Sequence, residues 1–351
     1  MHTLKKTNLL MDTIMTQAFA DAFGYVVEFD NITSIRQKFG SKGYSILNSE
    51  TSRLLISDDT QMTLFALESI LQCIEEQEFK YRHRAITNGY LNWLATQQYT
   101  QQKYPTYLLS QEFLYSPRAP GRTCLDSLNN IDKSSAKLTF DTIKRANDSK
   151  GCGGIMRTLP FAFFSNTKDE AWKFGCDQAA ITHGHTNGFT SAGFYTLLCF
   201  HLLNSTNDIK TAYKLTKEYA STQTHSLDPY LKKLDDCLEN FDKNNIQLNE
   251  LELNNKLDLG WTGDEALVIS IYCAITSKSL AQAIEVATIH NGDSDSTAML
   301  AAGIYKIANP DEHIPQIKNL IEYDNLQEVL SFFSSKIYSI YQQEPISKMK
   351  I

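Results

Sequence analysis

Apolar side chains recur three and four residues apart along much of this chain, the spacing of one helix face. Leu64, Leu67, Leu71 and Ile74 keep that spacing from Thr60 to Ile74. Trp93 and Leu94 fall in a second helical stretch that begins near Arg84. Lys210 to Ala220 and Leu231 to Phe241 read as exposed amphipathic helices, whereas Ala266 to Ile275 (ALVISIYCAI) is apolar nearly all round, as for a helix inside a bundle. Ser294 to Ile307 carries Ala298, Ala301, Ala302 and Gly303, small residues that let another backbone come close. Strand-like alternation is confined to two weak candidates, Ser45-Ile46-Leu47 and Ser52 to Ile56. The polar stretch from Asp242 to Asn255 lies between similar helical segments, so it reads as an insertion or long loop rather than a domain boundary. The expected fold class is all-α, a single domain over residues 1–351 with no solenoid repeat.

Composition adds limits. Hydrophobic residues make up 42% and charged residues 21% of the chain, ordinary values that exclude wholesale disorder. The formal charge of -7 argues against bulk attraction to nucleic acid or anionic membrane. Seven cysteines cannot all pair within one chain and form no CxxC motif, which favours a reducing, cytoplasmic compartment. No run of apolar residues is long enough to span a bilayer. Lys5 and Lys6 ahead of Leu9, Leu10 and Met11, with Ala20-Asp21-Ala22 beyond, have the outline of a signal peptide. Asp12, Thr13 and Thr16 interrupt the apolar run, so the expected element is an amphipathic first helix.

The chemistry-bearing signals are acidic. Ser57-Asp58-Asp59-Thr60 and Gly292-Asp293-Ser294-Asp295-Ser296-Thr297 each place two carboxylates and several hydroxyls just before a helix. A capped helix start accounts for either turn alone, because Ser and Asp cap well and first-turn acids suit the helix dipole. Two such turns in one chain also supply the oxygen ligands that hard cations such as Mg²⁺ want, enough for a two-metal centre. Glu28 follows an apolar segment; a solvated glutamate at a helix end is the bland alternative.

Three glycines fall within four residues in Lys150-Gly151-Cys152-Gly153-Gly154-Ile155-Met156-Arg157. Such a loop lets backbone N–H groups approach an anion, although its spacing fits neither a Walker loop nor a dinucleotide fingerprint. A tight turn between helices is the alternative. In Thr182-His183-Gly184-His185 the two histidines offer a zinc pair, but helical zinc motifs favour a four-residue spacing and no cysteine cluster completes the set, so a core histidine or a polar group near a ligand is expected ahead of zinc. Arg118-Ala119-Pro120-Gly121-Arg122-Thr123 reads as an ordered loop.

Taken in order, the segments ADAFGYVVEF, SDDTQMTLFALESIL, RAPGRTCLDSL, SKGCGGIMRTLPFAFF, THGHTNGFTSAG, GWTGDEALVISIYC and HNGDSDSTAMLAAGIYKI resemble the ADP-ribosylglycohydrolase family. They span residues 20–307, and the pairing of SDDTQ with GDSDS is the specific part. The resemblance implies a compact orthogonal helical bundle whose cleft holds two Mg²⁺ ions. By position, Ser57, Asp58 and Asp59 would ligate metal from one side, and Asp293, Asp295 and Ser296 from the other. Glu28, Asp59 and Asp293 would be the catalytic acids, Glu28 beside the reactive ribose. Gly151, Cys152, Gly153, Gly154 and Met156, with Gly121 and His183, would contact the substrate. The sequence departs from the family pattern in places. Ala20 stands where the family often has Gly, and Ser57 and Ser296 replace threonines but keep the hydroxyl. Cys152 stands where many members have Asn, which puts one ligand hydrogen bond in question.

The resemblance implies a Mg²⁺-dependent hydrolase that releases ADP-ribose from a modified protein side chain, with arginine the preferred acceptor. It would act as a monomer on an ADP-ribosylated protein or other ADP-ribose-containing substrate. Relief of an ADP-ribosylating toxin is the immunity role this suggests. The alternatives are another Mg²⁺-dependent all-α enzyme acting on diphosphates, and a non-catalytic immunity protein that binds a toxin. Acceptor choice is expected to lie with segments 99–118 and the polar stretch after Phe241.

Overall fold

A computed structural model describes residues 2–40, 43–75, 82–100, 106–131 and 147–343. Fifteen α-helices occur among them: α1 (His2–Tyr25), α2 (Ile32–Phe39), α3 (Asp58–Glu75), α4 (Arg82–Gln97), α5 (Arg122–Asn129), α6 (Leu159–Phe164), α7 (Lys168–Ala180), α8 (Thr186–Asn204), α9 (Ile209–Gln223), α10 (Asp228–Asn244), α11 (Glu250–Leu257), α12 (Gly263–Thr276), α13 (Leu280–Thr288), α14 (Ser294–Ala308) and α15 (Tyr323–Gln343). Short 3₁₀ turns join several of them. The all-α expectation holds: the only β pairing among the described residues is two isolated bridges, Leu54–Leu320 and Gly151–Thr262.

The centre is α1 packed along α14, with α12 and α13 against α14 and α8 against α7. The first helix is core material. Ala18, Phe19, Ala20, Ala22 and Phe23 are all buried. The small residues of α14 allow the close approach: at Gly24 of α1 an added Cβ would sit 2.3 Å from the carbonyl oxygen of Ser294. Helix α12, apolar on every side in sequence, is buried over nearly its whole length. Helices α9 and α10 are amphipathic as expected; α10 buries Leu231, Leu234, Cys237 and Leu238. Among the described residues no helix is long and apolar enough to cross a membrane, and the seven cysteines, all of them described, form no disulfide.

Two local expectations need correction. Ser45-Ile46-Leu47 and Ser52 to Ile56 do not form strands. Ile46–Thr51 is a 3₁₀ turn, and only Leu54 pairs, with a residue far along the chain. The stretch from Asp242 to Asn255 is not one long loop. Helix α10 runs to Asn244 and ends on Asn245, which adopts a left-handed conformation and donates its N–H to Phe241 O at 2.7 Å. Helix α11 then starts at once, because Asn249 and Glu252 close a capping box. Of the rim segment 99–118, residues 101–105 lie outside the described residues.

Candidate active site

The two acidic turns meet. Ser57 Oγ accepts from the N–H of Asp59 at 3.1 Å, as a helix cap does. The aspartates behind it reach outward instead. Asp58 accepts from the N–H of Gly121 at 3.2 Å, and its own N–H donates to Arg118 O at 3.0 Å. The Arg118–Gly121 loop therefore closes one side of the turn. Asp59 accepts from Ser296 Oγ at 2.6 Å, a direct bridge from the start of α3 to the start of α14. In the second turn Asp293 caps α14 and accepts from the N–H of Ser296, while Asp295 accepts from the same N–H at 2.8 Å. Each turn is a helix cap, and the two turns lie together, so the positive ends of two helices face the same group of carboxylates.

Gly292 lets the second turn form. Its φ is +151°, and a Cβ there would fall 1.9 Å from Leu259 O. The adjacent N–H of Asp293 then bonds Leu259 O at 3.0 Å, which locks the turn against the loop ahead of α12.

Asp21 completes the cluster from α1, and the sequence reading did not place it in the site. Its carboxylate accepts from the N–H of Ser57 at 3.0 Å, the N–H of Thr60 at 3.2 Å and the Thr60 hydroxyl. Its signal was an acid inside the fully apolar run from Ala18 to Phe23, where a carboxylate needs a reason. Glu28 lies just past α1 and is 8% exposed, so the solvated-glutamate alternative fails. Its Oε2 is buried without a hydrogen-bond partner.

Burial and mutual repulsion dominate the electrostatics. Burial, then the Asp295 charge, raises Asp21 to about 7. Burial, followed by the charges of Asp295, Asp293, Asp58 and Asp21, raises Glu28 to about 11. Asp58, Asp59 and Asp293 are pushed well above the usual carboxylate range, and Asp295 is raised, with burial the largest cause in each. Asp295 adds repulsion to the other five acids, so it is the electrostatic centre. The charges that act most on Glu28 and Asp59 are other carboxylates. No group of three or more His, Cys, Asp or Glu side chains among the described residues stands arranged as a ready metal cage. In chemistry the donors still fit a hard divalent cation: all are carboxylate or hydroxyl oxygens, and one buried carboxylate oxygen has no partner.

The glycine loop borders this cluster. The antiparallel bridge from Gly151 to Thr262 carries it, with Gly263 N–H donating to Lys150 O at 2.8 Å and Cys152 N–H to Trp261 O at 3.2 Å. Gly151 N–H is turned to Ser149 Oγ at 3.3 Å. Two of the loop's amides therefore serve the protein. Gly154 packs on Ala179 of α7 and Met156 is buried, so both lie behind the loop. Burial and the charges of Asp293 and Asp59 raise the Cys152 thiol well above its ordinary range, which places that side chain beside the acids. His183 is buried next to Gly151 and Gly153. An exposed aromatic pair flanks the site: Phe29, next to Glu28, and Trp261, with ring centroids 6.5 Å apart. Both residues lie in segments singled out in the sequence, ADAFGYVVEF and GWTGDEALVISIYC, but nothing there marked them as a pair.

A family model described as ADP-ribosylglycohydrolase matches residues 5–343. Among solved structures the chain is similar to one titled an ADP-ribosylglycohydrolase-related protein complex. The identity is 13% and the TM-score 0.62, over 95% of this chain and 98% of that one. At that identity the likeness is one of fold. A search of curated proteins returns no match.

Proposed function

The chain belongs to the ADP-ribosylglycohydrolase family, and from that premise we propose that it hydrolyses the glycosidic bond joining ADP-ribose to a modified side chain, with arginine the preferred acceptor. The observation that carries the reading is the convergence of Asp21, Asp58, Asp59, Asp293 and Asp295 with the partnerless Glu28 oxygen, beside a glycine loop.

Members of this family are typically metal-dependent. Mg²⁺, two ions in this proposal, would be held by Ser57, Asp58 and Asp59 on one side and Asp293, Asp295 and Ser296 on the other. Bound there, divalent cations supply Lewis acidity toward ribose hydroxyls and water.

The protein's own groups do the rest. Burial and the uncompensated acids around it hold Glu28 far above the carboxylate range. Neutralising those acids lowers its pKa toward the range in which it takes a proton from the attacking water. Asp59 and Asp293 are the remaining candidates for that proton. The departing bond passes through an oxocarbenium-like transition state, which nearby carboxylates favour electrostatically. The loop from Gly151 to Gly153 and His183 bind the diphosphate end, so binding energy remote from the reaction orients the ribose carbon.

Burial of the cluster within α-helical structure, with no further acidic repeat along facing helices among the described residues, favours this over other diphosphate chemistry. The role we assign is reversal of ADP-ribosylation in a reducing compartment, including relief of an ADP-ribosylating toxin. The test is release of free ADP-ribose from arginine-, serine- and nucleic-acid-linked substrates, with Mg²⁺ and with EDTA. Asp59→Ala and Asp295→Ala should each abolish release while the helical circular-dichroism spectrum persists. Full activity in either variant would overturn the two-metal reading. Protection of cells by an inactive variant would instead favour plain toxin binding.

A further inference from the structure

Arg157 is fully buried, and no carboxylate among the described residues pairs with it. A buried guanidinium without a counter-ion is costly, so what holds it is informative. Its Nε donates to Gln178 Oε1 at 3.0 Å, and Nη2 donates to Gln178 O at 3.1 Å and to Thr182 Oγ1 at 2.7 Å. Tyr90 stacks beneath it, the guanidinium carbon 4.0 Å from the ring centroid.

Thr182 Oγ1 also lies 2.8 Å from His183 Nδ1 and 3.4 Å from Ala179 O. A hydroxyl has one proton and two lone pairs. Arginine carries no acceptor, so one lone pair of Thr182 takes the Arg157 proton. The single Thr182 proton then goes to the nearest and best acceptor, Nδ1, rather than to a carbonyl at the limit of hydrogen-bonding distance or to the weakly accepting sulfur of Cys124. A neutral imidazole that accepts at Nδ1 carries its proton on Nε2. Burial, with the Arg157 charge second, lowers His183 to about 3, so the ring is neutral.

Nε2 faces the glycine loop. A Cβ at Gly151 would lie 3.2 Å from it, and one at Gly153 would lie 3.0 Å from the neighbouring Cε1. We propose that Thr182 is a positioning residue: with Arg157 on its acceptor side, it fixes His183 in the Nε2–H form and presents that N–H as a donor beside the glycine loop. The ligand group it suits is an anionic oxygen, and calling that oxygen part of the ADP-ribose diphosphate rests on the functional reading above. The glycine loop thereby gains a neutral donor whose tautomer is set from behind, by residues that do not touch the ligand.

The test uses the full chain labelled with ¹⁵N at histidine. Long-range ¹H–¹⁵N correlation should show His183 in the wild type with a pyrrole-type Nε2 and an acceptor-type Nδ1. Thr182→Val keeps the shape and removes the proton, so the preference should be lost; Thr182→Ser should keep it. Calorimetric titration with free ADP-ribose should show about tenfold to a hundredfold weaker binding for Thr182→Val, the range for a hydrogen bond to a charged group. Thr182→Ser should bind like the wild type. An Nδ1–H tautomer in the wild type overturns the proposal, and that measurement needs no variant to fold. Unchanged tautomer and affinity in Thr182→Val overturn it as well. The expected tautomer pattern in a wild type that does not bind ADP-ribose supports the relay and overturns the functional reading instead.

Discussion

Glu28 shows how far a single side chain can depart from its solution chemistry when burial and like charge act together. At neutral pH, in the absence of a cation, its carboxyl holds its proton, because burial and four aspartates raise it to about 11. In the unfolded chain the same group loses its proton above the ordinary value of 4.5. Between those limits the folded state binds more protons, so stability falls as pH rises. Glu28→Gln removes this dependence and keeps the shape. In EDTA the variant should therefore melt higher than the wild type, and the gap should widen between pH 5 and pH 8. A thermal melt at the two values decides the matter; a constant gap would mean that Glu28 is already ionised. The same variant should lose about 10²–10⁴-fold in hydrolysis, the usual worth of a general acid or base.

Helix α1 and helix α14 act as a pair at the next scale. Gly24 lets their backbones touch, and the touching point is Ser294, inside the second acidic turn. Asp21 lies three residues before Gly24 and Glu28 four after, so this contact sets how far both acids stand from Asp293 and Asp295. Gly24→Ala places a methyl against a backbone carbonyl and the Asp295 main chain, neither of which can rotate away. We expect a loss of about 1–3 kcal/mol of stability, as for other overpacked contacts. Hydrolysis should fall further than the lost stability explains, measured at a temperature where the variant stays folded.

Element scale is also where sequence reading succeeded and where it stopped. Helix α3 was legible from apolar periodicity over several turns, α12 from being apolar nearly all round, and α14 from its small residues. The acidic turns were legible because two of them, each with paired carboxylates and hydroxyls, precede helices in one chain. The capping box of α11 was written in Asn249 and Glu252, but a polar neighbourhood hid it. Leu54 and Leu320 could not be paired from sequence, because their single bridge depends on the bundle having closed. Asp21 and Arg157 were present in the quoted motifs, yet their roles depend on which helices meet, and that is a tertiary fact.

The molecule as a whole carries a conflict that a cation would resolve. Six acids from three segments are buried together, and each is raised chiefly by burial, with Asp295 repelling the other five. Folding without compensation makes the acids that Asp295 repels keep protons that the unfolded chain would release, so the metal-free protein loses stability as pH rises above about 4. A divalent cation replaces those protons with positive charge. Binding must then release protons and must strengthen with pH, because the competing protons become scarcer. The expected outcome is a rise in melting temperature on adding Mg²⁺ that is small at pH 5 and larger at pH 8, reversed by EDTA. Calorimetric titrations in buffers of different ionisation enthalpy should report net proton release. A Mg²⁺ effect that is equal at both pH values would show that the acids are ionised before the ion arrives, with their repulsion relieved by groups of the protein itself. Asp295→Asn tests the same point from the protein side: it removes the charge common to all these repulsions, so it should raise the metal-free melting temperature at pH 8 and weaken the response to Mg²⁺.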